Sequence, residues 1–282
     1  YYENGKLDFE GEYKNGMKYG IFKEYYENGE LKFQGEYLDN KKKGKGKEYD
    51  ETGRLLHEGE YEEDILWNGK KYNYYDSERL RSVLTIINGK ALLILKYNND
   101  GELIYETTFI EKTKTFFIKQ FFNGTPIFEG EYKEKKSEGK GKEFDYYSRK
   151  LIFEGEYKDF KRHGKGKEFD LYTGKLIFEG EFKDGKKWTG KGYNENNQIE
   201  YEIKNGNGKI KEYKSGKLIY EGEYKGGKRN GNGKEYNLIN GKLKYEGEYK
   251  DDQRNGKGKE YYNGKLIFEG EFLNGLRNNI SP

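Results

Sequence analysis

Two histidines, a recurring pair of glutamates and a few glycine-rich loops are the residues here that most resemble reaction chemistry. His57 and His163 could serve as bases or metal ligands, but no Cys exists to join them and no Asp stands at a recognisable spacing. Both read as surface or turn residues. Glu154 and Glu156 imitate a carboxylate dyad, yet the same pair recurs along the chain with Lys at facing positions, so it reads as structural. "GNGKI" at 206–210 and "GKGK" at 164–167 imitate phosphate loops without the strand-to-helix context that such loops need. The chain is therefore expected to be no enzyme, with no catalytic residue, no metal site and no cofactor.

Composition narrows the class. With 37% charged and 32% hydrophobic residues the balance alone suggests disorder, but 29 Tyr and 17 Phe are far too many aromatics for a disordered chain. Lys+Arg and Asp+Glu nearly cancel, leaving +3, so no strong pull toward nucleic acid is expected. Forty Gly and two Pro suit short strands joined by glycine turns. No apolar run approaches a membrane-spanning length. The chain begins inside a repeat, which reads as a fragment, and the glycosylation-like triplets Asn123-Gly124-Thr125 and Asn279-Ile280-Ser281 read as chance.

The central feature is repetition. Anchored on the Gly of E-G-E, units recur at Gly11, Gly35, Gly59, Gly130, Gly155, Gly180, Gly222, Gly247 and Gly270, 23 to 25 residues apart where regular. Degenerate units fill the gaps, anchored at Leu84, Thr107 and near Tyr201. About twelve units of 21–25 residues occupy residues 1–282 as a single array. Around each anchor the period is two: Leu176, Phe178, Gly180 and Phe182 alternate with Ile177, Glu179, Glu181 and Lys183. A turn and a second strand follow, so each unit is a β-hairpin. The fold class is all-β: tandem hairpins stacked into one elongated, twisted antiparallel sheet.

Pairing the strands across a four-residue turn sets Gly155 opposite Gly166, Tyr157 opposite Gly164, Glu156 opposite Lys165 and Glu154 opposite Lys167. One face then carries rings lying over glycines. The other carries a Glu/Lys ladder, each pair contributing ~0.2–1 kcal/mol. Strict alternation sends Phe169 to the charged face, with Tyr25, Tyr49, Phe144, Tyr236 and Tyr261 in the same column. A β-bulge near Glu168 is expected to turn these rings back to the aromatic side; the alternative is that they cover Lys stems on the other face.

These residues carry a resemblance. "YEGEYKGGKRNGNG" (220–233) and "FEGEYKDFKRHGKG" (153–166) resemble the MORN repeat. The opening "LDFEGEYKNGMKYGIFKEYYENGEL" is similar to the bacterial MORN variant that carries an antitoxin-component label, with Phe22 where the second Gly usually stands. The label itself is set aside. The resemblance implies hairpins curved into a trough, and a scaffold role with protein or membrane partners. The aromatic column of Phe153, Tyr157, Phe178, Phe182, Tyr220, Tyr224, Tyr245 and Tyr249 is expected to be both core and partner-binding groove, suited to an amphipathic helix.

Departures from the repeat mark further candidates. Trp67 and Trp188 each sit eight residues past an anchor Gly, in W-x-G-K-x-Y, and each precedes a degenerate unit (about 66–127 and 188–213). Their spacing suggests a five-unit super-repeat over 59–179 and 180–282. Each Trp reads as the cap of a longer turn, with a repeated binding point as the alternative. From Val83 to Phe122 the ladder fails and strands are apolar on both faces. Val83, Leu92, Ile94 and Phe117 are the candidate interface patch, covered by a second copy, a partner or a fold-back segment; alternatively a register shift sends them to the aromatic face.

Basic turns form rows: Lys41, Lys42, Lys161, Arg162, Lys186, Lys187, Lys228 and Arg229 on one edge, and Lys150, Lys175, Lys217 and Lys242 on the other. They read first as a solvated edge and next as contacts to anionic lipid. The expected function is a scaffold that binds protein partners, with a peripheral membrane adaptor as the alternative. Self-association stays open, nucleic acid is not expected, and a cytoplasmic place, with or without membrane or cytoskeletal association, is the default.

Overall fold

The computed structural model describes residues 1–133, 136–214 and 216–278. The triplet Asn279-Ile280-Ser281 lies outside them. All regular structure among the described residues is β-strand, in two compact units, Tyr1–Pro126 and Ile127–Pro282. The first unit holds β1 (Phe9–Lys14), β2 (Met17–Tyr25), β3 (Leu31–Leu38), β4 (Lys41–Tyr49), β5 (Leu55–Glu62), β6 (Ile65–Tyr74), β7 (Leu80–Ile87), β8 (Lys90–Tyr97), β9 (Leu103–Ile110) and β10 (Thr115–Phe122). Each pairs antiparallel with the next, as tandem hairpins require.

The second unit continues with β11 (Thr125–Lys133), β12 (Lys136–Phe144), β13 (Leu151–Lys158), β14 (Lys161–Phe169), β15 (Leu176–Lys183), β16 (Lys186–Tyr193) and β17 (Ile199–Ile203). It ends with β18 (Gly208–Lys214), β19 (Lys217–Lys225), β20 (Lys228–Tyr236), β21 (Leu243–Lys250), β22 (Gln253–Tyr262), β23 (Lys265–Leu273) and β24 (Leu276–Arg277). Consecutive strands pair here too, with one interruption: β17 and β18 share no ladder. The repeat at 188–213 is short, and its five-residue β17 closes on β18 through a single bridge, Lys204 with Asn207.

The hairpin turns are tighter than the four-residue turns expected. Lys158 pairs with Lys161, leaving only Asp159 and Phe160, both at positive φ (49° and 59°). Asp39-Asn40, Glu63-Asp64 and Asp251-Asp252 do the same. This is the two-residue turn whose twist matches paired strands. Tyr157 consequently faces Arg162, not Gly164, and the register slips between Gly155 and Tyr157. Gly164 takes up the slip at φ +66°, and the Glu156 carboxylate folds over it to accept the Lys165 N–H at 3.2 Å. Of the other expected pairs, Gly155 with Gly166 and Glu154 with Lys167 are present, and Glu156 with Lys165 is lost in the slip.

Glycines do make room for rings, but for a different ring. A Cβ on Gly166 would lie 2.5 Å from the Phe153 ring. Phe153, Phe178, Tyr220 and Tyr245 are 0% exposed. They interlock edge-to-face with the next column: Phe153 with Phe182 at 5.0 Å, Tyr220 with Tyr249 at 5.2 Å, Tyr245 with Phe272 at 5.0 Å. In the first unit Phe22, Tyr37, Phe33 and Tyr61 continue the pattern at 5.4 to 5.7 Å. Each such pair contributes about 0.5–1.5 kcal/mol beyond the area it buries.

Candidate interaction surfaces

A single sheet leaves one face of its rings toward solvent unless something covers them. Here the cover is a row of cations from the second residue after each tight turn. Arg162 lies 4.3 Å from the Phe153 ring centre, Arg229 4.2 Å from Tyr220, Arg254 4.4 Å from Tyr245, Lys187 5.0 Å from Phe178 and Lys42 4.4 Å from Phe33. Glutamates of the K-E-[YF] column tie the cations together. Arg162 reaches Glu143 at 2.5 Å and Glu168 at 3.1 Å, and Lys187 meets Glu168 at 2.8 Å. Arg254 reaches Glu235 at 2.7 Å and Glu260 at 2.9 Å, and Arg277 meets Glu260 at 2.7 Å.

This lid sets its own electrostatics. Burial alone would raise the Glu168 carboxyl, but Lys187 and Arg162 override it and hold it below the usual range. Glu235 is held down in the same way by Lys244 and Arg254, and Glu260 by Arg277 and Arg254, each against its own burial. Burial, reinforced by Glu143, pushes Tyr157 up, and its hydroxyl donates to Glu143 at 2.7 Å.

Of the eight aromatics expected to form a groove, Phe153, Tyr157, Phe178, Phe182, Tyr220, Tyr245 and Tyr249 are buried and Tyr224 is half-buried. They form the core beneath the lid, so a partner on that side meets Arg, Lys and Glu before any ring. The bulge expected near Glu168 is present, and it recurs before Tyr25, Tyr49, Phe144, Tyr236 and Tyr261. Its expected consequence is absent. The Tyr236 and Tyr261 hydroxyls donate to Glu221 and Glu246, at 2.5 and 2.6 Å. Those are ladder glutamates, so these phenols stay on the charged face, and Glu168 occupies the aromatic side instead.

The ladder face carries the open concavity. Across β17–β23 a groove of about 770 Å³ is lined by two rows of charged side chains with glycine between them. One row runs Lys211, Glu221, Lys234, Glu246, Lys259 and Glu269; the other holds Lys209, Glu223, Asn232, Lys257 and Glu271. Gly222, Gly233, Gly247, Gly258 and Gly270 form a floor of bare backbone. At about 4.8 Å per strand the floor runs roughly 19 Å. Along each row the charge alternates in sign wherever Glu faces Lys. Asn232 breaks that alternation, standing opposite Glu248 where a ladder lysine would be. The sequence reading had these residues as ladder and missed the groove; the signal was the lone Gly between two charged neighbours on successive strands.

In the first unit the apolar positions divide. Ile94 lies opposite Leu84, and Leu84 packs on the ring cluster, so Ile94 shares the aromatic side. Leu92 sits where the register slips between Leu93 and Ala91. Val83, opposite Leu95, and Phe117, opposite Thr108, lie on the other face. Val83, Leu92, Ile94 and Phe117 therefore do not form one patch. The set that replaces the ladder is Val83, Leu93, Leu95 and Phe117, all half-buried.

Both tryptophans cap turns. The Trp67 ring lies over Gly89 and its carbonyl accepts the Gly89 N–H at 2.8 Å; Trp188 does the same with Gly206 at 2.7 Å. Half of the expected lipid-facing cations are committed to the lid: Lys42, Arg162, Lys187 and Arg229. Of the others, Lys41 pairs with Glu63 at 2.9 Å, Lys186 with Asp252 at 3.5 Å and Lys228 with Asp251 at 3.2 Å. Lys161 is exposed.

His57 and His163 do not converge. His57 Nδ1 lies 3.1 Å from Glu48, and with Lys42 it overrides burial to bring that carboxyl down to about 2. His163 stands 4.0 Å from Asp184. Among the described residues no group of three or more His, Cys, Asp or Glu is placed to hold a metal, and no helix is long and apolar enough to cross a membrane.

No curated protein matches the chain. Solved structures titled "Crystal Structure of TcdB2-TccC3-Cdc42" and "Crystal Structure of TcdB2-TccC3-TEV" are similar at 12% and 11% identity, with TM-scores of 0.25 and 0.19. The matches cover 80% and 90% of this chain but only 13% and 15% of theirs. The MORN repeat matches residues 33–53, 128–145, 153–169, 178–188, 220–237, 245–265 and 268–279. The MORN repeat variant matches 1–15 and 18–39. Matched segments in both units, each built on the same ring, glycine and ladder columns, make this chain a member of the MORN-repeat family.

Proposed function

We propose that this chain is a non-catalytic scaffold that captures a polypeptide partner on its ladder face, with the glycine-floored groove across β17–β23 as the docking site. The observation that supports it is the groove itself: an open concavity of about 770 Å³ whose walls offer both signs of charge. A partner segment with Lys or Arg beside Glu or Asp, and small residues against the glycine floor, complements it. The first unit, taken by itself, offers a separate hydrophobic contact through Val83, Leu93, Leu95 and Phe117 where its own ladder fails. The matching Trp caps support a five-unit super-repeat as the underlying organisation.

A photoreactive residue in place of Asn232, in the intact chain, tests this reading. Cross-links to polypeptide should form and should disappear in the Lys234→Glu/Lys259→Glu variant. A control reversal at the exposed Lys225 and Lys250 should leave them unchanged. Cross-links indifferent to the groove reversal would refute the site.

A further inference from the structure

β17 and β18 lie side by side without a backbone ladder. Backbone bonds join them only at the turn, where Lys204 and Asn207 exchange N–H to carbonyl bonds of 2.9 Å; along the strands what crosses is side chain, with Lys211 Nζ donating to Glu200 at 2.7 Å and the Tyr213 hydroxyl donating to the other oxygen of Glu200 at 2.7 Å. For every other neighbouring pair from β11 to β23, parting the strands breaks a row of backbone hydrogen bonds. Here it does not. The gap also borders the groove, since Glu200 and Lys211 belong to its lining.

Among the described residues two side-chain contacts straddle the gap, both between turns. Asp170 Oδ2 accepts the Gly216 N–H at 3.0 Å, 46 residues away, where ordinary contacts between successive turns, such as Lys175 to the Glu195 carbonyl, span 20. Lys186 Nζ meets Asp252 Oδ2 at 3.5 Å, joining the turn before β16 to the turn before β22. Between them Gly206, at φ +75°, receives the Trp188 ring, and its carbonyl accepts the Gly227 N–H at 2.9 Å. Asp170 is a buried carboxylate whose second oxygen, among the described residues, accepts only this link.

We propose that the seam between β17 and β18 is a hinge that sets the width of the ladder-face groove, and that Asp170–Gly216 and Lys186–Asp252 are the latches that hold it closed. Its use in partner capture rests on the reading of the groove given above; the motion rests on the interrupted ladder alone. With the Lys204–Asn207 turn kept as its pivot, opening costs the two latches and the Glu200 contacts but no row of backbone hydrogen bonds, so it is cheaper than separating the laddered pairs from β11 to β17 or from β18 to β23.

The chain supplies its own conservative substitutes for a test. Asn237 holds the turn position of Asp170 and still accepts the Ile239 and Asn240 N–H groups. Asn40 holds the turn position of Asp252 and still accepts the Lys18 N–H. The Asp170→Asn/Asp252→Asn variant therefore keeps both turns, while removing the acceptor for Gly216 and the charge facing Lys186. Hydrogen exchange should quicken on the order of tenfold at residues 200–203 and 209–214, the factor expected for losing charge-assisted hydrogen bonds, with β21 and β22 unchanged. Spin labels at Gln198 and Lys257 should report a broadened distance distribution. Wild-type exchange and distances in the double variant would overturn the hinge, and so would faster exchange spread evenly over β19–β23. Neither readout needs a partner, so failure of the docking site would leave this result standing.

Discussion

The Arg254 guanidinium lies 4.4 Å above the ring centre of Tyr245 while binding Glu235 and Glu260. Tyr245 is 0% exposed because of that cover, so one side chain supplies both the charge network and the roof of the core. Arg254→Ala should unroof the ring and strand two carboxylates, lowering stability by about 2–3 kcal/mol. Arg254→Lys should recover part of this, since Lys42 and Lys187 already serve in the same column. Denaturant unfolding of the three proteins checks the order.

The lid also fixes a pH window. Glu48, Glu168, Glu235 and Glu260 have folded pKa values below the ordinary 4.5, Glu48 at about 2. Their contribution is present above pH 4.5 and lost as pH falls toward the folded values. The core tyrosines move the other way: burial raises Tyr132 and Tyr245 from 10.0 to about 12. Above pH 10 the unfolded chain ionises first and the folded state loses ground. Melting temperatures measured from pH 2 to 12 should form a plateau between roughly 5 and 10, falling on both sides.

Phe160 sits at φ 59° in a turn position where Asn40 serves elsewhere, and it is 74% exposed. A left-handed backbone costs a bulky residue roughly 1–2 kcal/mol, more than its contact with Tyr132 returns. Phe160→Asn should raise stability by up to about 1 kcal/mol, read from the chemical-denaturation midpoint.

Two glycines separate two kinds of constraint. Gly166→Ala drives a methyl into the Phe153 ring and should cost about 1–3 kcal/mol. Gly174→Ala meets nothing within 4 Å and should cost only the strain of φ +71°, about 1 kcal/mol. Equal losses at the two sites would contradict the close packing of ring on backbone.

With most of its basic turn residues paired, this chain should bind anionic vesicles weakly. Flotation in low and high salt should show little difference. Strong binding abolished by salt would restore the basic edges as a lipid surface.

The strand course was legible because alternation of ring, Gly and charge is strict around each anchor, as at Phe153, Gly155 and Glu156. The turn was not, because Asp159-Phe160-Lys161-Arg162 hides a two-residue turn whose signature is positive φ rather than residue type. The lid was invisible for the same reason: Arg162 reads as a turn cation until the shorter turn brings it opposite Tyr157. The fate of Phe169 and Tyr236 was misjudged because a bulge changes register without obliging a ring to change sides. The apolar strands at 83–122 were visible as such, but which residues share a face depended on a one-residue slip at Leu92.

In the second unit's regular stretches, each lid cation binds a glutamate contributed by the preceding hairpin, as Arg162 does with Glu143 and Arg254 with Glu235. No hairpin can therefore complete its own roof. Such an array behaves as a chain of coupled spins, in which each repeat gains most of its order from its neighbour. Loss of order should advance as a front from any repeat that has lost its neighbour. Whole repeats can be gained or lost in evolution without redesign of the rest, and a change of length inside one hairpin is felt only at the roofs it shares with its neighbours: Arg229 still reaches Glu212 across 17 residues where Arg162 reaches Glu143 across 19.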